Sequence, residues 1–114
     1  MKPLVWLGTS RVDLKRFPAK PRRTAGFQLW RVQLGLEPND GRPMRSVGAG
    51  VHGVQEIRVR TGTEHRVLYV AKFWEGAYVL HAFEKKTRRT TSRDLELAKE
   101  RWRLLVAERR KWEG

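Results

Sequence analysis

The chain is 114 residues long with 39% hydrophobic content, the size of one ordinary domain built around one modest core. Its 25 Lys+Arg against 12 Asp+Glu give a formal charge of +13 and a pI near 11.2, so an acidic neighbour is expected: nucleic acid first, an acidic protein second, an anionic membrane surface third. The absence of cysteine excludes a disulfide framework, a thiolate metal site and a cysteine nucleophile. The apolar runs are strand-length, far short of the roughly 20 residues of a spanning helix, and no signal-peptide pattern follows Met1, so the expectation is a soluble cytoplasmic protein.

In chain order, "KPLVWLG" is a short apolar run between Pro3 and Gly8 whose β-branched and aromatic content suits a strand buried on both faces. Thr9 or Ser10 can cap a first helix that runs to about Phe17 and is stopped by Pro18. The basic loop "AKPRR" then leads into a second helix, from about Pro21 to Gly35. Phe27, Trp30 and Leu34 at i, i+3, i+7, with Leu29, Val32 and Leu36 alongside, predict a wide apolar face turned to the core. Residues 37–53 are dense in Gly and Pro and lack periodicity, which reads as a long irregular, mobile connection.

"VQEIRVR" alternates Ile57 and Val59 with Glu56, Arg58 and Arg60, the period-two pattern of a strand with one buried and one charged face. "HRVLYVAKFW" and "AYVLHAF" follow, joined at Glu75-Gly76, and complete a three-strand meander. In "TTSRDLELAKERWRLLVAERRKW" the spacing of Leu95, Ala98, Trp102 and Leu105 predicts a terminal helix, with Thr91 and Asp94 as its capping box. The order β-α-α-β-β-β-α is a single α+β domain spanning 1–114, with a small mixed or antiparallel sheet and helices packed on one face. On that reading Arg58, Arg60, Arg66 and Lys72 project from the uncovered face. The basic run Lys85, Lys86, Arg88, Arg89 and Arg93 sits at its rim, where the start of the last helix adds free backbone N–H groups for phosphate.

Three segments, "VHGVQEIRVR", "HRVLYVAKF" and above all "YVLHAFEKKTRRTTSRDLELAKER", resemble the phage-related HigB-type toxins of the RelE/ParE superfamily, and the similarity runs from "KPLVWLG" through the terminal helix. The resemblance implies a RelE-like fold and the toxin of a type II toxin–antitoxin system, an endoribonuclease cleaving mRNA, in many relatives on the ribosome. It also implies a helix-turn-helix antitoxin of HigA type encoded beside it. By position, Arg58 and Arg66 match the arginines of the family's "E-[IL]-R" and "[YF]-R-[VI]-[LI]-Y" motifs, and Lys85 with Lys86 its "F-x-K-K" motif.

Metal-independent RNA cleavage needs activation of a ribose 2′-OH, charge stabilisation on the phosphate and protonation of the departing 5′-oxygen. Arg58 and Arg66 are assigned the phosphate and Lys85 the proton transfer, with His81 a further catalytic candidate. Arg60, Lys72, Lys86, Arg88, Arg89 and Arg93 are assigned to holding RNA.

Bland readings stand beside these. An arginine on a strand is most often a solvated residue, and His81 between Leu80 and Ala82 suits a satisfied core histidine equally well. His52, His65 and His81 have no metal-ligand spacing, and neither a metal nor any other cofactor is expected. A non-catalytic basic module that binds nucleic acid, and a ParE-like gyrase inhibitor, remain the alternatives. An acidic antitoxin surface is expected over the cationic face or the terminal helix.

Overall fold

The computed structural model describes residues 1–113. The elements run β1 (Leu4–Trp6), α1 (Ser10–Lys15), α2 (Ala19–Gln33), β2 (Gly41–Pro43), β3 (Gln55–Arg60), β4 (Glu64–Val70), β5 (Ala77–Glu84) and α3 (Ser92–Glu113). The sheet order is β1-β5-β4-β3-β2, with β1 parallel to β5 and every other pair antiparallel. This is the expected α+β arrangement of a RelE-like domain, with the meander β3-β4-β5 at its centre.

Both faces of the sheet are covered, and not one only. On the first face α1 and α2 pack Leu14, Phe17, Ala25, Leu29 and Val32 against Ile57, Val59, Val67, Tyr69 and Val79. On the second, α3 sets Ala98 and Leu105 over Leu68, Val70, Tyr78 and Leu80, and Met44, Val47 and Val54 close the remainder. The continuous apolar runs of β1 and β5 are explained by this: Leu4 and Trp6 reach the first core, Val5 and Leu7 the second. As an edge strand, β1 is only half-buried.

The Gly-rich connection is anchored rather than loose. It holds the edge strand β2, it buries Met44 and Val47, and Trp102 Nε1 donates to the carbonyl of His52 at 3.0 Å. "AKPRR" is helical, not a loop, because Pro21 falls in the first turn of α2, where a backbone N–H has no partner to lose.

The core face of α2 is rotated from the expected one. Pro21, Ala25, Gln28, Leu29 and Val32 are buried, whereas Phe27, Trp30 and Leu34 are 49%, 46% and 44% exposed. Leu29→Ala is therefore expected to cost about 2–5 kcal/mol in urea unfolding, by lost burial and cavity formation. Trp30→Ala should cost less than about 1 kcal/mol; a larger loss there would place the indole in the core after all.

Candidate active site

The register of the meander lines side chains up in rows across the strands. Arg58 of β3 lies opposite Arg66 of β4, which lies opposite Phe83 of β5. In the adjoining row Arg60 faces Glu64, whose backbone carbonyl accepts the Lys85 N–H at 2.7 Å. Strand alternation puts both rows on the α3 face, in the corner that α3 and the 44–54 segment leave uncovered.

Opposed arginines repel unless each is neutralised, and three carboxylates do this. Asp40 is delivered by the segment before β2, where its carbonyl accepts the Arg58 N–H at 2.8 Å. Its Oδ1 takes the Arg58 guanidinium at 2.8 Å from Nε and 2.7 Å from Nη2, and its Oδ2 lies 3.4 Å from Arg60 Nε. Glu56, almost fully buried, pairs Arg42 at 3.1 Å and Arg66 at 3.3 Å. Glu64 Oε1 lies 3.2 Å from Arg66 Nη2 and 3.5 Å from Arg60 Nε, while its Oε2 stands 4.0 Å from Lys85 Nζ. Burial pulls the Glu64 pKa upward, but the Arg66 hydrogen bond and the charges of Arg66, Lys85 and Arg60 outweigh it and hold the carboxyl below its usual 4.5.

The expected site residues divide on this geometry. Arg58, Arg60, Arg66 and Lys85 come together. Arg66 does not project into solvent: it is 3% exposed, clasped between Glu56 and Glu64, with Nη1 buried and lacking a hydrogen-bond partner. As placed it cannot touch a phosphate; it positions Glu64. Lys85 Nζ donates to the carbonyls of Thr87 and Arg88 at 2.9 and 2.7 Å, which staples the turn after β5 while keeping the ammonium beside Glu64. Lys86, Arg88 and Arg89 are exposed around that turn.

Lys72 is not part of the cluster. Strand β4 ends at Val70, so Lys72 lies past its far end over the Phe73 ring, six residues or about 20 Å along the chain from Arg66. The start of α3 already holds a carboxylate of its own. Thr91 Oγ1 accepts the Asp94 N–H at 3.2 Å and donates to Asp94 Oδ2 at 2.7 Å, so the N-cap half of the expected capping box forms while the Asp94 carboxylate takes the Thr91 hydroxyl.

Asp94 also fixes His81, whose Nε2 is 2.7 Å from Asp94 Oδ1 and whose Nδ1 is 3.2 Å from Arg101 Nη1. Arginine only donates, so Nδ1 carries the lone pair and Nε2–H donates to Asp94: a neutral imidazole with both nitrogens occupied. Burial lowers its pKa below 6.5, and Arg101 adds to this against the opposing pull of Asp94. The ring stacks on Phe83 at 4.9 Å, and Arg101 continues the network to the Leu80 carbonyl and Thr9 Oγ1. Gly8, at φ +55°, is required where the Arg101 guanidinium packs, since a Cβ there would lie 2.3 Å from Nε. His81 thus ties α3 to β5, and with Asp94, Arg101 and Arg93 it lines a cleft of about 560 Å³ whose other side is Thr9, Asp13 and Arg16.

His65, buried against Phe17, is also held below 6.5 by desolvation. Below that pH the unfolded chain binds more protons than the folded one, so stability falls as pH drops. The urea midpoint should therefore decline from pH 7 to pH 5, and less steeply in His81→Gln; an unchanged slope would show that His81 charges freely in the fold.

Sequence reasoning did not select Asp40, Glu56, Glu64 or Arg101. Glu56 was visible in the alternation that places it on the charged face, and Arg101 in its i, i+3, i+7 spacing with Ala98 and Leu105. Among the described residues no group of three His, Asp or Glu side chains is placed to hold a metal ion. None of the helices is long and apolar enough to cross a membrane.

The fold is that of a small RelE-like α+β domain, with a cationic, carboxylate-braced corner on its central strands. Residues 12–103 match the model of the phage-derived protein Gp49-like family (DUF891), and the chain belongs to that family, one of RelE-like toxins. No curated protein matches the chain.

Proposed function

We propose that the chain is the toxin of a type II toxin–antitoxin system and an endoribonuclease that cleaves mRNA, on the ribosome or free, at the corner formed by Arg58, Arg60, Glu64 and Lys85. The observation that carries this reading is the Glu64–Lys85 pair at 4.0 Å, a carboxylate and an ammonium held beside two solvent-reaching arginines. In this scheme Glu64 takes the proton of a ribose 2′-OH as the 2′-oxygen bonds to phosphorus. The P–O5′ bond breaks, Lys85 gives its proton to the departing 5′-oxygen, and a 2′,3′-cyclic phosphate remains. Arg58 and Arg60 neutralise the phosphate during the step, and Arg66 keeps Glu64 ionised and in place. Lys86, Arg88 and Arg89 extend the phosphate track along the turn.

RNA must displace Asp40 to reach Arg58 and Arg60. Asp40→Asn should therefore bind a single-stranded RNA oligomer more tightly, with a log–log salt dependence steeper by about one contact. Weaker binding by this variant in a salt titration would mean that Asp40 orients the arginines productively and does not compete with phosphate.

One observation favours a non-catalytic RNA-binding module instead: the cations of the corner are all already paired, whereas Arg88 and Arg89 on the adjoining turn stand exposed. On that reading RNA binds without being cut. Expression of the chain separates the two, because growth arrest that Glu64→Gln abolishes while RNA binding persists belongs to the enzyme alone. In this proposal the partner is a helix-turn-helix antitoxin and the pair works in the cytoplasm; membership of a toxin-like family supports the toxin–antitoxin context.

A further inference from the structure

On the far side of the molecule from the charged corner, α2 presents an apolar ridge that nothing in the fold uses. Phe27, Trp30 and Leu34 share the side of the helix opposite Ala25, Leu29 and Val32, and Leu36 follows at the exit; all four are between 44% and 49% exposed. The Phe27 and Trp30 rings lie 5.8 Å apart at 36°, tilted against each other. At 1.5 Å per residue the three helical side chains span about 10 Å, two turns, the length over which one helix meets another.

The charge along the helix is one-sided, with Glu37 the first acidic residue, beyond Leu36. Helix α2 contains no acidic residue, and Lys20, Arg23 and Arg31 flank the ridge. We propose that this ridge docks an acidic amphipathic helix of a partner protein, its apolar face on Phe27, Trp30 and Leu34 and its carboxylates on Lys20, Arg23 and Arg31. A second copy of the chain does not fit, since two ridges face to face would set these cations against their duplicates. RNA fits poorly, because the rings tilt onto each other and the rest of the ridge is aliphatic, where stacked bases need open ring faces. The ridge lies on the first face of the sheet and the charged corner on the second, so the partner and RNA bind at once. This inference does not rest on the nuclease reading.

The test uses a fluorescent acidic amphipathic peptide of about 18 residues, with Leu at i, i+3, i+4 and i+7 and Glu elsewhere, titrated with the whole protein. Binding in the micromolar range is expected. It should weaken at least tenfold for a sequence-scrambled peptide and for the exposed pair Phe27→Ala with Leu34→Ala, and be unchanged by saturating single-stranded RNA oligomer. Arg23→Glu with Arg31→Glu should lose the acidic peptide and gain its Lys-for-Glu counterpart. The proposal is overturned by absence of binding, by equal binding of the scrambled peptide, by loss of RNA binding in the Phe27/Leu34 variant, or by a wild-type dimer in sedimentation that the same variant dissolves.

Discussion

Arg66→Met should lower the unfolding free energy by about 3–5 kcal/mol, because it strips the buried Glu56 carboxylate of its internal partner and leaves only the solvent-side Arg42. Against a total of about 5–15 kcal/mol for a domain of this kind, that is a large fraction of what holds the fold. Glu56→Leu should be costly too, since Arg66 would then sit buried with Glu64 as its only anionic partner. The double variant Arg66→Met with Glu56→Leu should recover most of the loss, because well-packed apolar groups replace a buried ion pair at little net cost. Urea unfolding of the four proteins closes the cycle. A single Arg66→Met loss below about 1 kcal/mol would show that water reaches Glu56 and that the pair is not buried in solution. The result bears directly on function, since a loss of toxicity on changing Arg66 reports folding unless stability is measured alongside.

The second large effect is on chemistry. Glu64→Gln and Lys85→Met should each lower single-turnover cleavage by at least about 100-fold, the usual scale of a positioned acid or base, with little change in RNA affinity. Glu64 is partly exposed, and its substitution by Gln keeps shape and one acceptor, so the protein should remain folded. Lys85→Met removes the donor to the Thr87 and Arg88 carbonyls as well, and Lys85→Arg is the control that can still hold them. If Lys85→Arg restores the turn but not the rate, the ammonium is needed as an acid; full recovery of the rate would reduce Lys85 to a staple. Arg88→Ala and Arg89→Ala should instead weaken binding and flatten its salt dependence while leaving turnover at saturating RNA intact.

The fold was legible where local pattern and tertiary packing agree. Alternation in "VQEIRVR" placed Ile57 and Val59 inward and Arg58 and Arg60 outward, and Thr91 with Asp94 marked the start of α3. The apolar runs in β1 and β5 already carried the sign of a sheet covered on both faces, yet the open-face reading was drawn from β3, which lies one strand from the sheet's edge. On α2 the larger side chains misled. Phe27, Trp30 and Leu34 have the right spacing, but so do Ala25, Leu29 and Val32, and it is the smaller set that the helix turns inward, against Ile57, Val59, Val67 and Tyr69. At the site, cations were legible as motif residues, whereas their carboxylate partners were not. Asp40 is 18 residues from Arg58 in sequence and is brought to it only by the pairing of β2 with β3. His81 was equally undetermined: its apolar neighbours fit a core or a catalytic role, and only the Asp94 and Arg101 contacts decide its tautomer.

The most direct measurement is to incubate the purified, folded protein in EDTA with a defined mRNA, free and on translating ribosomes, and to map the ends produced. Cleavage is expected in at least one of the two settings, with 2′,3′-cyclic phosphate and 5′-hydroxyl ends, lost in Glu64→Gln. Intact mRNA in both settings, from protein that still binds RNA, would contradict it and leave the charged corner as a binding surface.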